Sequence, residues 1–176
     1  MPSWRHSYRD KVDPDAVRSV ASQIVEELGP EDPVWVAAAL HDQIGERVTY
    51  DHSVDAGFNR PPAETYRDGG NCVDLAILLC SLFRAVGLRC RLVGIDGDGA
   101  EHLTSVVSFP SAPRAVTDSL TGYYSEQGRL RERTYTWLEG EYFIADYASR
   151  YLGDIAPLEA YTDSNGRFTI KETIDI

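Results

Sequence analysis

Lysine is almost missing from this 176-residue chain: of its 17 basic residues, only Lys11 and Lys171 are lysines. Against them stand 28 acidic residues, for a formal net charge of −11. A field of that sign repels phosphate backbones and no Lys/Arg cluster offsets it, so nucleic acid is not an expected partner. No apolar run approaches the roughly 18 residues of a membrane span, so no membrane association is expected either. The first residues, Trp4-Arg5-His6-Ser7-Tyr8-Arg9-Asp10-Lys11, lack the apolar stretch of a secretory signal, which points to a cytoplasmic location.

Cysteine is scarce too. Cys72, Cys80 and Cys90 form neither an even framework nor a Cys-x-x-Cys pair. On one helix Cys72 and Cys80 would lie about 12 Å apart at 1.5 Å per residue, too far to bridge. Free thiols in a reducing compartment are expected. There is no Gly-x-x-x-x-Gly-Lys-Ser/Thr loop and no Gly-x-Gly-x-x-Gly opening a helix after a strand. His41, His52 and His102 show no metal-ligand spacing. Asp96-Gly97-Asp98-Gly99 begins like a calcium loop but has no glutamate at the required distance, so it reads as a turn. No cofactor and no metal are expected.

What is present describes a globular domain. Hydrophobic residues make up 43% of the chain and charged ones 26%, and one domain over residues 1–176 can bury roughly 70% of its unfolded surface. Asp13-Pro14 starts a helix carrying Val17, Val20, Ala21, Ile24, Val25 and Leu28, and Gly29-Pro30 stops it. A second helix runs from Pro33 to Ile44. From Asp51 to Gly70 the apolar density drops, and the segment reads mostly as loop. Asn71 then caps a helix from Cys72 to Val86 that is apolar nearly all round, with Asp74 closing its first turn and Gly87 ending it. Strands follow at Leu88–Ile95 and His102–Phe109, and Pro110 to Arg131 reads as a polar excursion. Two hairpins complete the chain, one joining Tyr135–Leu138 to Tyr142–Asp146 and one turning at Asn165-Gly166. Helices first and antiparallel strands after them make an α+β fold, with a buried central helix packed on the sheet.

Cys72 is the first residue of that central helix and follows Gly69-Gly70-Asn71. There the helix dipole and unpaired N–H groups favour a thiolate, and the glycines let backbone and substrate approach closely. A backbone N–H at the same terminus is ready to receive an oxyanion. The plainer reading is a small buried filler, as Cys80 and Cys90 appear from their apolar surroundings. A thiol nucleophile wants a base and a group to orient it. His102 opens a strand after an acidic turn, Asp146 ends an apolar strand, and Asp118 is the competing acid.

Gly70-Asn71-Cys72-Val73-Asp74 and Phe83-Arg84-Ala85-Val86-Gly87-Leu88-Arg89-Cys90-Arg91-Leu92-Val93-Gly94 closely resemble the transglutaminase-like superfamily. That family places Gly-x-Cys at the start of a buried helix, an acid two positions later, and Arg-Ala-x-Gly at the helix end. The resemblance covers about 66–148, with N-terminal helices (about 13–45) as usual companions and a tail, 149–176, outside it. It implies a papain-like core and a Cys72, His102, Asp146 triad acting on amide bonds of a peptide or protein. The activity would be that of a cysteine peptidase, amidase or transglutaminase. Leu103 stands where the family commonly has an aromatic, and the gap before Asp146 is longer than usual. Tyr66 and Asn59 are candidates for a second oxyanion donor. The competing reading is a non-catalytic component of a larger assembly that keeps the fold. Scarce lysine and excess carboxylate also resemble proteins of halophilic archaea or their viruses, which would make an assembly a virion.

Overall fold

The computed structural model describes residues 4–29, 32–55, 59–97, 100–129, 137–138, 141–154, 158, 161–165 and 169–176. It is a mixed α+β fold. Helices α1 (Trp4–Arg9), α2 (Arg18–Leu28), α3 (Pro33–Arg47), α4 (Pro62–Asp68) and α5 (Cys72–Ala85) come first, with a 3-10 turn at Asp15–Val17 leading into α2. Strands β1 (Arg89–Gly97) and β2 (Ala100–Ser108), helix α6 (Pro113–Glu126), and strands β3 (Trp137–Leu138), β4 (Tyr142–Ala145) and β5 (Thr169–Asp175) follow. The strands form one antiparallel sheet in the order β3-β4-β2-β1-β5.

Local chemistry accounts for most helix ends. Asp32 caps α3 by accepting the Val34 N–H at 2.8 Å, with Pro33 preset for the first turn. Gly29 closes α2 in a left-handed conformation at φ 60°. At α5 the Asn71 side chain accepts from Val73 and Asp74, while Asp74 accepts the Asn71 N–H at 3.0 Å. This reciprocal capping box fixes the backbone that carries Cys72.

Helix α5 is the centre of the core. Leu75, Ile77, Leu78, Leu79, Leu82 and Phe83 are all almost completely buried. At about 1.5–3 kcal/mol for each large apolar side chain, this helix alone is a major part of the burial that drives folding. Leu92, Leu103, Val107, Phe143 and Ile174 belong to the same cluster as α5, whereas Val93, Ile95, Val106 and Ile144 form a smaller cluster with Leu158. The alternation along each strand thus gives the sheet two apolar faces. Ser81, buried within α5, is satisfied: it donates to the Ile77 carbonyl at 2.8 Å and accepts the Asp13 N–H at 3.1 Å.

Three expectations change. Pro110 to Arg131 is not an open excursion, because α6 occupies most of it and buries Val116, Leu120, Tyr123 and Tyr124. Pro113 starts the helix, and those four residues fall on one face at helical spacing. Trp35 of α3 packs edge-on to Tyr123 and donates to the Ser119 carbonyl at 3.2 Å, so α6 fills the long gap before Asp146 as a packed element. The Asp51–Gly70 segment likewise contains α4, where Pro62 opens a helix instead of breaking one. Third, the tail placed outside the family resemblance adds an edge strand to the same sheet, with β5 paired to β1. Gly166 and Phe168 of the expected last hairpin, Asp98-Gly99 of the turn between β1 and β2, and Tyr135, Thr136, Glu139 and Gly140 lie outside the described residues. Among the described residues no helix is long and apolar enough to cross a membrane.

Candidate active site

Cys72 is half-buried at the first position of α5, while Cys80 and Cys90 are fully buried, and all three are free thiols. Burial holds the Cys80 thiol well above its ordinary range, which leaves it inert. The loop that presents Cys72 is braced from several directions. Asp74 accepts the Arg60 N–H at 2.9 Å, and the Arg60 guanidinium donates to the Gly69 carbonyl at 2.7 Å and pairs with Asp51 at 3.0 Å. Tyr50 makes a parallel bridge to Gly70, with the Asp51 N–H donating to the Gly70 carbonyl at 2.9 Å. Gly69, at φ 83°, is required there, since a Cβ would sit 2.3 Å from the Thr49 carbonyl oxygen.

That bridge brings Tyr50 to the nucleophile. Its phenol lies beside Cys72, whose backbone and side chain both act on it. Burial, and then the charge on Cys72, raise the Tyr50 phenol above its usual range. Tyr50 also stacks on Tyr147, with centroids 5.7 Å apart. The two residues expected at this place are occupied elsewhere: Asn59 accepts from Lys11 at 2.9 Å, and Tyr66 packs against the core.

His102 is the third residue of β2, and only 6% of it is exposed. Its Nε2 lies 2.6 Å from Asp146 Oδ2, which leaves Nδ1 as the ring nitrogen that Asp146 does not take. Burial opposes charge on the ring, yet the hydrogen bonds to Asp146 and Cys72 carry His102 up from 6.5 to about 9. One face of the imidazole is covered by Tyr161, stacked at 4.6 Å. Asp146 follows the last residue of β4 and is 1% exposed. Its second carboxylate oxygen takes the Ala148 N–H at 3.0 Å, and its carbonyl accepts from His41 Nε2 at 2.6 Å and the Ser149 N–H at 3.1 Å. Asp118, the competing acid, is exposed on α6. The structure therefore pairs His102 with Asp146 and places Cys72 and His102 on the wall of one cleft. Sequence reading passed over Tyr50 and His41, whose positions depend on contacts 22 and 105 residues away along the chain.

That cleft, of about 350 Å³, is also walled by Tyr8, Val73, Ile95, Leu103 and Glu172 among others. A second cavity of about 470 Å³, lined by His41, Arg129 and Tyr147, contains none of the cysteines. The model of the transglutaminase-like superfamily matches residues 19–117, more than half of the chain. The chain belongs to the transglutaminase-like superfamily. The matched span includes Cys72 and His102 and ends before Asp146. No curated protein sequence matches it significantly.

Solved structures share this transglutaminase-like fold at low identity. A candidate cysteine protease from Cytophaga hutchinsonii superposes with a TM-score of 0.55 and 17% identity, covering 91% of this chain and 42% of that one. The chain thus spans well under half the length of the Cytophaga protein. Calcium-bound LapG of Legionella pneumophila gives a TM-score of 0.52 at 15% identity, covering 88% of this chain and 71% of LapG. EGTA-treated LapG gives 0.51 at 15% identity, with 83% and 76% covered.

Proposed function

We propose that this protein is a cysteine hydrolase of amide bonds in peptides or proteins, with Cys72 as nucleophile, His102 as acid and base, and Asp146 as orienter. The observation that carries the reading is a half-buried thiol sharing a cleft with an imidazole whose Nε2 rests on a buried carboxylate. A protonated His102 is the partner a thiolate needs at neutral pH. The thiolate attacks the amide carbonyl, and the oxyanion takes the Cys72 N–H together with a bond donated by the Tyr50 hydroxyl. Collapse breaks the C–N bond as His102 passes its proton to the leaving amine. The neutral ring then takes a proton from water, hydroxide adds to the thioester, and departure of the thiolate restores the start. An amine in place of water would make the same site a transferase. The cysteine protease fold among the solved neighbours supports hydrolysis.

Calcium-bound LapG raises the question of a metal. Among the described residues no three His, Cys, Asp or Glu side chains gather as a ligand set, and no step of the scheme runs through a metal. The acidic excess and near-absence of lysine support a high-salt source, archaeal or viral, and the free thiols suit a reducing compartment.

The test is turnover of a fluorogenic peptide library with Cys72→Ala and His102→Ala as controls. Each should abolish nearly all turnover, and the double variant should lose little more, because the groups act as one unit. Iodoacetamide near neutral pH should label Cys72 and spare Cys80 and Cys90. Undiminished turnover in Cys72→Ala would exclude covalent catalysis here and leave a non-catalytic component of an assembly as the reading.

A further inference from the structure

One ring at the site has no part in the mechanism above. Tyr161 lies between β4 and β5, beyond the family match, which ends at residue 117. Its phenol lies flat on the His102 imidazole, with centroids 4.6 Å apart and planes 19° from parallel. Tyr147 also approaches the imidazole, but at 6.1 Å and tilted by 44°. The sheet explains why Tyr161 is there. Pairing of Ile95 with His102 and of Val93 with Thr104 sets His102 on the face that carries the smaller apolar cluster. Leu158, 1% exposed, is buried in that cluster, and Tyr161 packs half-buried against it. The apolar contact anchors the side chain, and the stack decides what its face covers.

The face of a phenol ring carries the negative lobe of its quadrupole, so a parallel stack at this distance favours imidazolium over neutral imidazole. It also keeps water off the ring, which strengthens the pull of the Asp146 carboxylate at Nε2. Tyr161 brings no charge of its own: burial, and then Cys72 and Asp146, raise its phenol above the usual range. The other titratable groups around the imidazole are Asp146 after β4 and Cys72 of α5, which both raise it, and Tyr147. Tyr8 of α1, Glu101 of β2, and Lys171 and Glu172 of β5 share its cleft, with Lys171 paired to Asp96 and Glu101. We propose that Tyr161 is a positioning residue for the catalytic imidazole: its ring favours the His102 cation from the face and confines the imidazole to its own plane. Within that plane the imidazole can pass a proton from the thiol to a leaving amine, whereas swinging out of it would break the contact with Asp146. The use of that proton rests on the amide-hydrolase reading. The stack and its effect on His102 do not.

Nitrogen-detected NMR titration of His102 tests the role, in a series that varies the face of the ring and not its shape. Tyr161→Phe is compared with the same variant carrying monofluoro-, difluoro- and trifluorophenylalanine, whose fluorines withdraw electron density from the ring face. Tyr161→Phe should titrate within about 0.3 pH unit of wild type, and His102 should fall stepwise along the series, by about 0.5 to 1 pH unit at its end. Tyr161→Leu, which keeps an apolar contact with the Leu158 cluster, should show the full fall with the fold intact by circular dichroism. The high-pH limb of Cys72 alkylation should move down with His102. In turnover, Tyr161→Leu should lower kcat by about two- to fivefold near pH 9 and little near pH 7, with KM unchanged, and Tyr161→Phe should restore it. A flat fluorine series overturns the proposal even where Tyr161→Leu shifts, because packing alone then accounts for the ring. Cys72-dependent turnover with a flat series defeats the role of Tyr161 and spares the hydrolase. A falling series without Cys72-dependent turnover does the reverse.

Discussion

Replacing Asp146 with asparagine leaves an acceptor beside His102 Nε2 while removing the negative charge, and the structure sets how far the imidazole should respond. In the wild type His102 rises from 6.5 to about 9 against the effect of its own burial. At about 1.4 kcal/mol per pH unit, this is on the order of 3 kcal/mol of preference for the charged ring. The side chain is 4% exposed and that of Asp146 is completely buried, so salt and water screen the pair little. Without the Asp146 charge, burial still disfavours the cation and Cys72 still raises it, so His102 should fall by about one to two pH units. At pH 8 the protonated fraction then drops from roughly nine-tenths to between about a half and a tenth, and Cys72 alkylation by iodoacetamide should slow by about two- to tenfold. A nitrogen-detected NMR titration of the His102 ring reads the shift directly, and alkylation rates from pH 5 to 10 read it through the thiol. The reasoning fails if wild-type His102 titrates at or below 6.5, or if Asp146→Asn leaves it in place. Stability carries the same signature. Because the folded value lies above the unfolded 6.5, this stabilisation is complete below pH 6.5 and disappears as the pH rises through about 9.

Burial lowers the His41 value, so its contribution has the opposite sign: present above pH 6.5 and lost as the pH falls below it, which acid unfolding of wild type against His41→Gln should show. His41→Leu should cost about 1–3 kcal/mol in urea unfolding by stripping a donor from the Asp146 carbonyl, with His41→Gln recovering part of it. Tyr50→Phe should lower kcat by about 100-fold with KM little changed, because in the proposed scheme the hydroxyl donates to the oxyanion and not to the bound amide, and an unchanged kcat would remove Tyr50 from the mechanism. Gly69→Ala meets the Thr49 carbonyl at 2.3 Å and should cost more than about 1 kcal/mol together with a loss of Cys72 reactivity, measured by thermal unfolding and alkylation. Dilution from molar salt into low-salt buffer should lower Tm if the acidic surface serves a salt-rich cell, and full stability in dilute buffer would argue against that source.

The parts legible from sequence are those settled within a few residues. Asn71 and Asp74 lie three apart and cap α5 reciprocally, Asp32 precedes Pro33, Gly29 ends α2, and the leucines of α5 repeat at helical spacing; each is a contact the chain makes with itself nearby. Misreadings arose where one residue type has two uses. The segments read as loop and as a polar excursion hold α4 and α6, which Pro62 and Pro113 start, since the missing N–H matters only after the first turn. The family motif pointed to Cys72, and order and context along the chain to His102 and Asp146, but the meeting of the last two requires β2 and β4 to pair so that Ser105 lies opposite Ala145. Tyr50 reaches Cys72 through the bridge to Gly70, His41 reaches Asp146 from α3, and Tyr161 reaches His102 from the stretch before β5. None of these three has a local signature. A hydroxyl, an imidazole and an aromatic ring acquire their roles only from what packing places beside them, and packing is decided by the burial of α5 against the sheet, a property of the whole chain.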